Sequence, residues 1–125
     1  MDWAWRVSAL TKLGVARVRS GRPGEAIPLF RKAIEREPGN AEALLYLAGA
    51  LASGGHPADA LPYFERALEA GPPSTIALNG LGLTCLAVGE TARAEAAFRK
   101  SLRLDPNQPE IARALAQVRR RGAPD

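Results

Sequence analysis

A period of 34 residues runs through this chain of 125 and constrains its fold more than any other feature. Ala26, Ala60 and Ala94 fall on that spacing, as do Phe30, Phe64 and Phe98, and Pro38, Pro72 and Pro106. The same offset links Leu10, Leu44 and Leu78, then Leu13, Leu47 and Leu81, then Gly21, Gly55 and Gly89. Six columns with one period identify a repeat architecture, in which each unit buries its apolar face only by stacking on its neighbours. Three copies are complete, over about 7–40, 41–74 and 75–108. A fourth begins with Ala112 and Leu115 and ends as a single terminal helix over about 109–121. The whole length, 1–125, is one domain's worth of chain.

Each unit reads as two helices. In the first copy, Leu10, Leu13 and Gly14, with Val7 and Ala9, form an apolar stripe at helical spacing, and Arg17 shares that helix. Gly21 ends this helix, since glycine takes the left-handed backbone at a helix C-terminus without steric cost. The second helix starts near Pro23, which suits the first turn because its missing N–H has no partner there. Its buried side is predicted to be Ala26, Ile27, Phe30, Ala33 and Ile34, and Glu37-Pro38-Gly39 closes it. Asn40, Ser74 and Asn107 are placed to cap the helices that follow. Pro28 and Pro62 fall inside the second helices, away from the Ala/Phe seam, where a mild kink is expected.

These residues resemble the tetratricopeptide repeat family. Its pattern of apolar residue, Leu-Gly, aromatic, Gly, Ala, Phe, Ala and Pro is matched in copy one by Leu10, Leu13, Gly14, Gly21, Ala26, Phe30, Ala33 and Pro38. The departures are the aromatic column, here Arg17, Leu51 and Cys85, and Ser101 in place of alanine. The resemblance covers about residues 7–121. It implies an all-α chain of about seven helices, an α-solenoid of antiparallel helix pairs wound into a right-handed superhelix. A polar outer side on the last helix, with Arg113, Gln117, Arg119 and Arg120, suits a solubilising cap.

Catalytic constellations are missing from the sequence, so no enzyme activity and no cofactor is expected. His56 is the one histidine and Cys85 the one cysteine, which argues against a disulfide framework and a Cys/His zinc site. His56 reads as a turn residue in Gly-His-Pro, and Cys85 as a buried, inert thiol at a core helix position. The pairs Arg31/Glu35 and Arg66/Glu69 read as surface charges at helical spacing. Asn79-Gly80-Leu81-Gly82 lies within a helix and lacks the context of a phosphate-binding loop.

Function is therefore expected to reside in binding. The resemblance implies a concave groove lined by the first helix of each repeat, holding a peptide segment of a protein partner. The corresponding positions are Ser8, Thr11, Val15 and Val18 in copy one, and Glu42, Leu45, Gly49 and Ala52 in copy two. Copy three supplies Ile76, Asn79, Leu83 and Leu86, and the terminal helix Glu110, Arg113, Gln117 and Arg120. Val15, Val18, Leu45, Ile76, Leu83 and Leu86 are more apolar than a free surface requires, which points to an interaction site. The expected guest has apolar anchors and an acidic residue directed at Arg113 or Arg120. One subfamily grips C-terminal carboxylates with a Lys/Asn/Arg clamp; the matching positions, Thr11, Val15, Tyr46, Ile76 and Gly80, hold none of those residues.

Half of the net charge of +4 comes from residues 108–125, where Arg113, Arg119, Arg120 and Arg121 stand against Glu110 and Asp125, and the body of the chain is nearly balanced. Arg119-Arg120-Arg121 could touch nucleic acid, but with no aromatic residues between the arginines the expectation is a helix end whose cations suit the dipole. No membrane span is expected, and the N-terminus lacks a secretory pattern, with Asp2 ahead of the first basic residue and Lys12 in the apolar stretch. The default location is the cytoplasm. Fourteen Arg against three Lys suggests a high-GC bacterial source. Trp3 shares the stripe of Val7 and Leu10, whereas Trp5 points toward Ala9 and Lys12 and is a candidate interface anchor. The alternatives are a homo-oligomer that covers the groove, or an accessory segment of a larger enzyme or secretion assembly, with Ala-Pro-Asp at the end as a linker.

Overall fold

The computed structural model describes residues 3–122, and side chains from residue 6 onward. The expectations for Trp3, Trp5 and the final Ala-Pro-Asp concern side chains and residues outside the described set. Among the described residues the chain is α-helical, without strands: α1 (Trp3–Arg19), α2 (Pro23–Arg36), α3 (Ala41–Ser53), α4 (Pro57–Ala70), α5 (Thr75–Ala87), α6 (Thr91–Leu104) and α7 (Pro109–Gly122). Contacts are densest within the pairs α1/α2, α3/α4 and α5/α6, then between successive pairs, as a solenoid requires.

The three turns inside the repeats are built alike. Gly21, Gly55 and Gly89 take φ of 75°, 89° and 83°. Around Gly21, its own N–H donates to the Val18 carbonyl at 3.0 Å and that of Arg22 to the Arg17 carbonyl at 2.8 Å. The same pair of bonds recurs at Gly55/His56 and Gly89/Glu90. This double bond pattern satisfies the last carbonyls of the first helix and aims the chain back along it. His56 is thus a solvent-exposed residue of a turn, one position before α4.

Between repeats, side chains cap the next helix. Asn40 Oδ1 accepts from the Ala43 N–H at 2.9 Å and Ser74 Oγ from the Ala77 N–H at 3.2 Å. Asn107 does not cap α7, because that helix starts at Pro109 and Gln108 holds the register of Asn40 and Ser74. The Gln108 side chain turns inward, its Nε2 donating to the Ser101 carbonyl at 3.1 Å and the Asp105 carbonyl at 2.8 Å. Ser101 is fully buried and replaces alanine with a hydroxyl that joins this cluster. Pro28 and Pro62 lie on exposed sides of α2 and α4. The carbonyls they leave without a helical donor belong to Gly24 and Ala58, both open to solvent.

Phenylalanines form the spine of the core. Phe30 and Phe98 are fully buried, each against the glycine of its own first helix: a Cβ on Gly14 or Gly82 would lie 2.4 Å from the ring. Phe64 sits beside Gly80 of the following repeat, whereas Phe30 meets Tyr46 at that register, stacked with 5.7 Å between ring centroids. The first helix differs from its expected stripe. Leu13 is 45% exposed and Ala9 is exposed, while Leu47 in the same column is buried. That column faces the second helix of the preceding repeat, and no such helix stands before α1 among the described residues.

Two surface pairings also differ. Arg31 and Arg66 flank the Tyr63 ring from 5.8 and 5.5 Å, and Arg31 donates to the Tyr63 hydroxyl at 3.1 Å. They do so in place of ion pairs with Glu35 and Glu69, because a ring between two guanidinium groups offers both hydrogen bonding and cation–π attraction.

Candidate functional site

The candidate surface is built from the first helices. α1 touches α3 and α3 touches α5, so the outward residues of the three helices adjoin. Four register positions line them, one set per helix, as helical periodicity dictates.

The structure divides the expected lining into three groups. Thr11 leaves the list: it is 6% exposed, and its hydroxyl donates to the Val7 carbonyl of its own helix at 2.9 Å. A small polar residue satisfied by the preceding turn is compatible with the core, and so it is covered. Val15, Val18, Leu45 and Ala52 are half-buried against the main core, and Leu86 against the second core cluster. Their apolar character thus also serves the packing of the solenoid. Gly49 is half-buried, but the space where its Cβ would stand is open.

Ser8 and Glu42 are exposed at a cleft of about 360 Å³ between α1 and α3, and the other open positions lie toward the third copy and α7. Ile76 is 71% exposed and Leu83 54%, with Tyr46 of α3 at 37%. Tyr46 was expected only as a mismatch to a clamp position, and the repeat pattern carries no signal that its ring would stay partly free. On α7, Glu110, Arg113, Gln117 and Arg120 are exposed and share a cleft of about 550 Å³. Neither Arg113 nor Arg120 has an ion-pair partner among the described residues, whereas Arg119 on the other side of the helix reaches Glu95 at 3.3 Å. Between the two regions, Asn79 Nδ2 donates to Gln108 Oε1 at 2.9 Å. Its own Oδ1 is buried without a partner.

Cys85 is fully buried, and burial, followed by the Glu90 carboxylate, pushes its thiol above the ordinary value of 9.0. A thiol so placed is the reverse of an activated nucleophile. Among the described residues no cluster of three His, Cys, Asp or Glu side chains could hold a metal ion, and no helix is long and apolar enough to cross a membrane. The arginines Arg119, Arg120 and Arg121 occupy the last turn of α7, where cations favour the helix dipole.

A family model described as Tetratricopeptide repeat matches residues 11–75 and 52–109. No curated protein shows significant sequence similarity to the chain. Among solved structures, the chain is similar to the first TPR of Spaghetti (RPAP3) bound to HSP90 peptide SRMEEVD. The identity is 22%, over 93% of this chain and 92% of that one, with a TM-score of 0.88. It is also similar to residues 41 to the end of MamA from Desulfovibrio magneticus RS-1, at 23% identity over 92% of this chain and 65% of that one, TM-score 0.86. A third is YrrB, a TPR protein with an unusual peptide-binding site, at 23% identity over 91% and 57%, TM-score 0.81. At these identities the likeness is one of fold.

Proposed function

The chain belongs to the tetratricopeptide repeat family, and on that premise we propose that it is a non-enzymatic protein-interaction module taking a peptide segment across its first helices. The observation that carries this reading is the occurrence of open apolar residues on α5 and of cations on α7, without an ion-pair partner among the described residues, at the first-helix positions. Ile76 and Leu83 stay exposed where the repeat pattern has no packing use for them, and Arg113 and Arg120 follow on α7 without an ion-pair partner among the described residues. Large apolar side chains left in water mark surfaces that gain from being covered. The guest that fits has one or two apolar anchors for Ile76, Leu83 and Tyr46 and a carboxylate for the α7 cleft.

A structural neighbour is bound to the HSP90 peptide SRMEEVD. In this chain the clamp positions are filled differently: Thr11 is buried, Tyr46 stacks on Phe30, and Gly80 is taken up by Phe64. A site without the charges and amides for a terminal carboxylate rejects it. SRMEEVD is therefore expected to bind this chain weakly or not at all.

The test is selection from a displayed peptide library on the immobilised protein, followed by competition. Selected sequences are expected to combine apolar and acidic residues and to lose binding to the Ile76→Glu/Leu83→Glu variant and to the Arg113→Glu/Arg120→Glu variant. Peptides that bind both variants as well as the native chain would overturn the reading.

A further inference from the structure

We propose a second, separate recognition site on the second-helix side of the last repeat, for a polypeptide segment with a carboxylate between two apolar anchors. Two clefts lie there side by side. The larger, of about 420 Å³, is floored by Leu68, Pro73, Leu78 and Leu104 and rimmed by Lys100 and Arg103. The smaller, of about 290 Å³, lies between α6 and α7, with Leu102 and Leu115 inside and Arg103 again at its edge. None of the first-helix positions of the proposed peptide surface lines either cleft.

Three observations set this place apart from a plain solenoid surface. First, the third copy departs from its own repeat here. Arg103 stands where the earlier copies have Glu35 and Glu69, and Leu104 where they have Arg36 and Ala70. A cation in the last turn of α6 is explained by the helix dipole alone. Leu104, 48% exposed beside a ready-made apolar cleft, is not. Second, the charges are unspent. Arg99 and Arg119, which also border the smaller cleft, are both engaged by Glu95, at 2.8 and 3.3 Å. Lys100 and Arg103 have no ion-pair partner among the described residues, so the rim is positive and open to an anion.

Third, Arg103 is shared. Arg103 borders both apolar clefts, so an anion held by its guanidinium would have an apolar hole within reach on either side. A small amphipathic acid fills one cleft; a chain with leucine-sized residues flanking an acidic one fills both and places its carboxylate on the fork of Arg103. That geometry selects a polypeptide over a free acid.

The probe is a synthetic 12-residue peptide with a Leu-Glu-Glu-Leu centre. It is followed by amide chemical shifts of the intact chain, alongside the same peptide with Lys for Glu, one with Ala for Leu, and decanoate. Saturable shifts at Leu68, Leu78, Leu104 and Leu115 are expected with the first peptide alone, weakened about tenfold or more by Arg103→Glu. That substitution restores the side chain the earlier copies carry at this register, so loss of fold is not expected, and a thermal melt verifies it. Leu104→Ala is a second variant expected to weaken binding without disturbing α6. The proposal fails if the Lys peptide binds equally, if Arg103→Glu leaves affinity unchanged, or if decanoate reproduces every shift. Shifts confined to Ile76, Leu83 and Arg113 would also overturn it, while supporting the first-helix surface.

Discussion

Phe64 of the second repeat lies against Gly80 of the third, where a Cβ would come within 2.5 Å of its Cε1. Phe30 and Phe98 press instead on Gly14 and Gly82 of their own repeats. At the register of those two glycines the middle copy carries Ala48, fully buried. The middle copy thus has a methyl group at the register where its neighbours have glycine, and its phenylalanine lies instead against a glycine of the next repeat.

Gly80→Ala is therefore expected to destabilise the chain by about 1–3 kcal/mol, as overpacking of a filled core does. Gly49→Ala is the counterpart, because nothing lies within 4 Å of its missing Cβ. In the middle of α3 it is expected to add about 0.5–1 kcal/mol through helix propensity. Urea unfolding of the two variants reads both signs.

Phe64→Ala removes the ring that joins the middle repeat to the last. Phe64 is buried at 3% exposure. A loss of about 3–5 kcal/mol is expected, and a thermal melt indistinguishable from the native chain would contradict the packing described.

The caps give a finer test. Asn40→Ala and Ser74→Ala each remove a side-chain acceptor from a helix start and are expected to cost about 1 kcal/mol. Asn107→Ala is expected to cost less, since its side chain caps nothing, whereas Gln108→Ala breaks the cluster with Ser101 and Asn79. Denaturant midpoints of the four variants rank them.

Alkaline pH probes Cys85. Its folded thiol holds its proton above the ordinary value of 9.0, first through burial and then through Glu90. The unfolded thiol ionises near the ordinary value, so above it the unfolded state binds fewer protons and stability falls as pH rises. Below that pH the contribution is fully present. The stability difference between the native chain and Cys85→Ala is expected to stay level up to about pH 9 and to narrow above it. A difference that widens with pH would contradict this.

Much of the fold was legible because six columns repeat, and a column reports both a residue and the neighbour it packs on. Gly21, Gly55 and Gly89 marked the turns for the same reason: each needs a positive φ. The failures have the converse cause. Leu13 shares a column with Leu47, but among the described residues no helix covers it. Asn107 looked like a cap from its place after Pro106, although the register of Asn40 and Ser74 leads to Gln108. The apolar residues at Val15, Val18, Leu45 and Leu86 fit a binding groove and a helix seam equally well by composition, and only coordinates separate the two. Arg31 could not be placed on Tyr63 from spacing within one helix, because it reaches the ring across a repeat boundary, whereas Arg66 lies three residues from Tyr63 on the same helix.

The most direct measurement of the central claim is an amide shift map of the chain titrated with a library-selected peptide. Saturable changes are expected on the first-helix side, at Tyr46, Ile76, Leu83 and Arg113, with α2 and α4 undisturbed. Changes confined to the second helices, or spread over both faces without saturation, would contradict it.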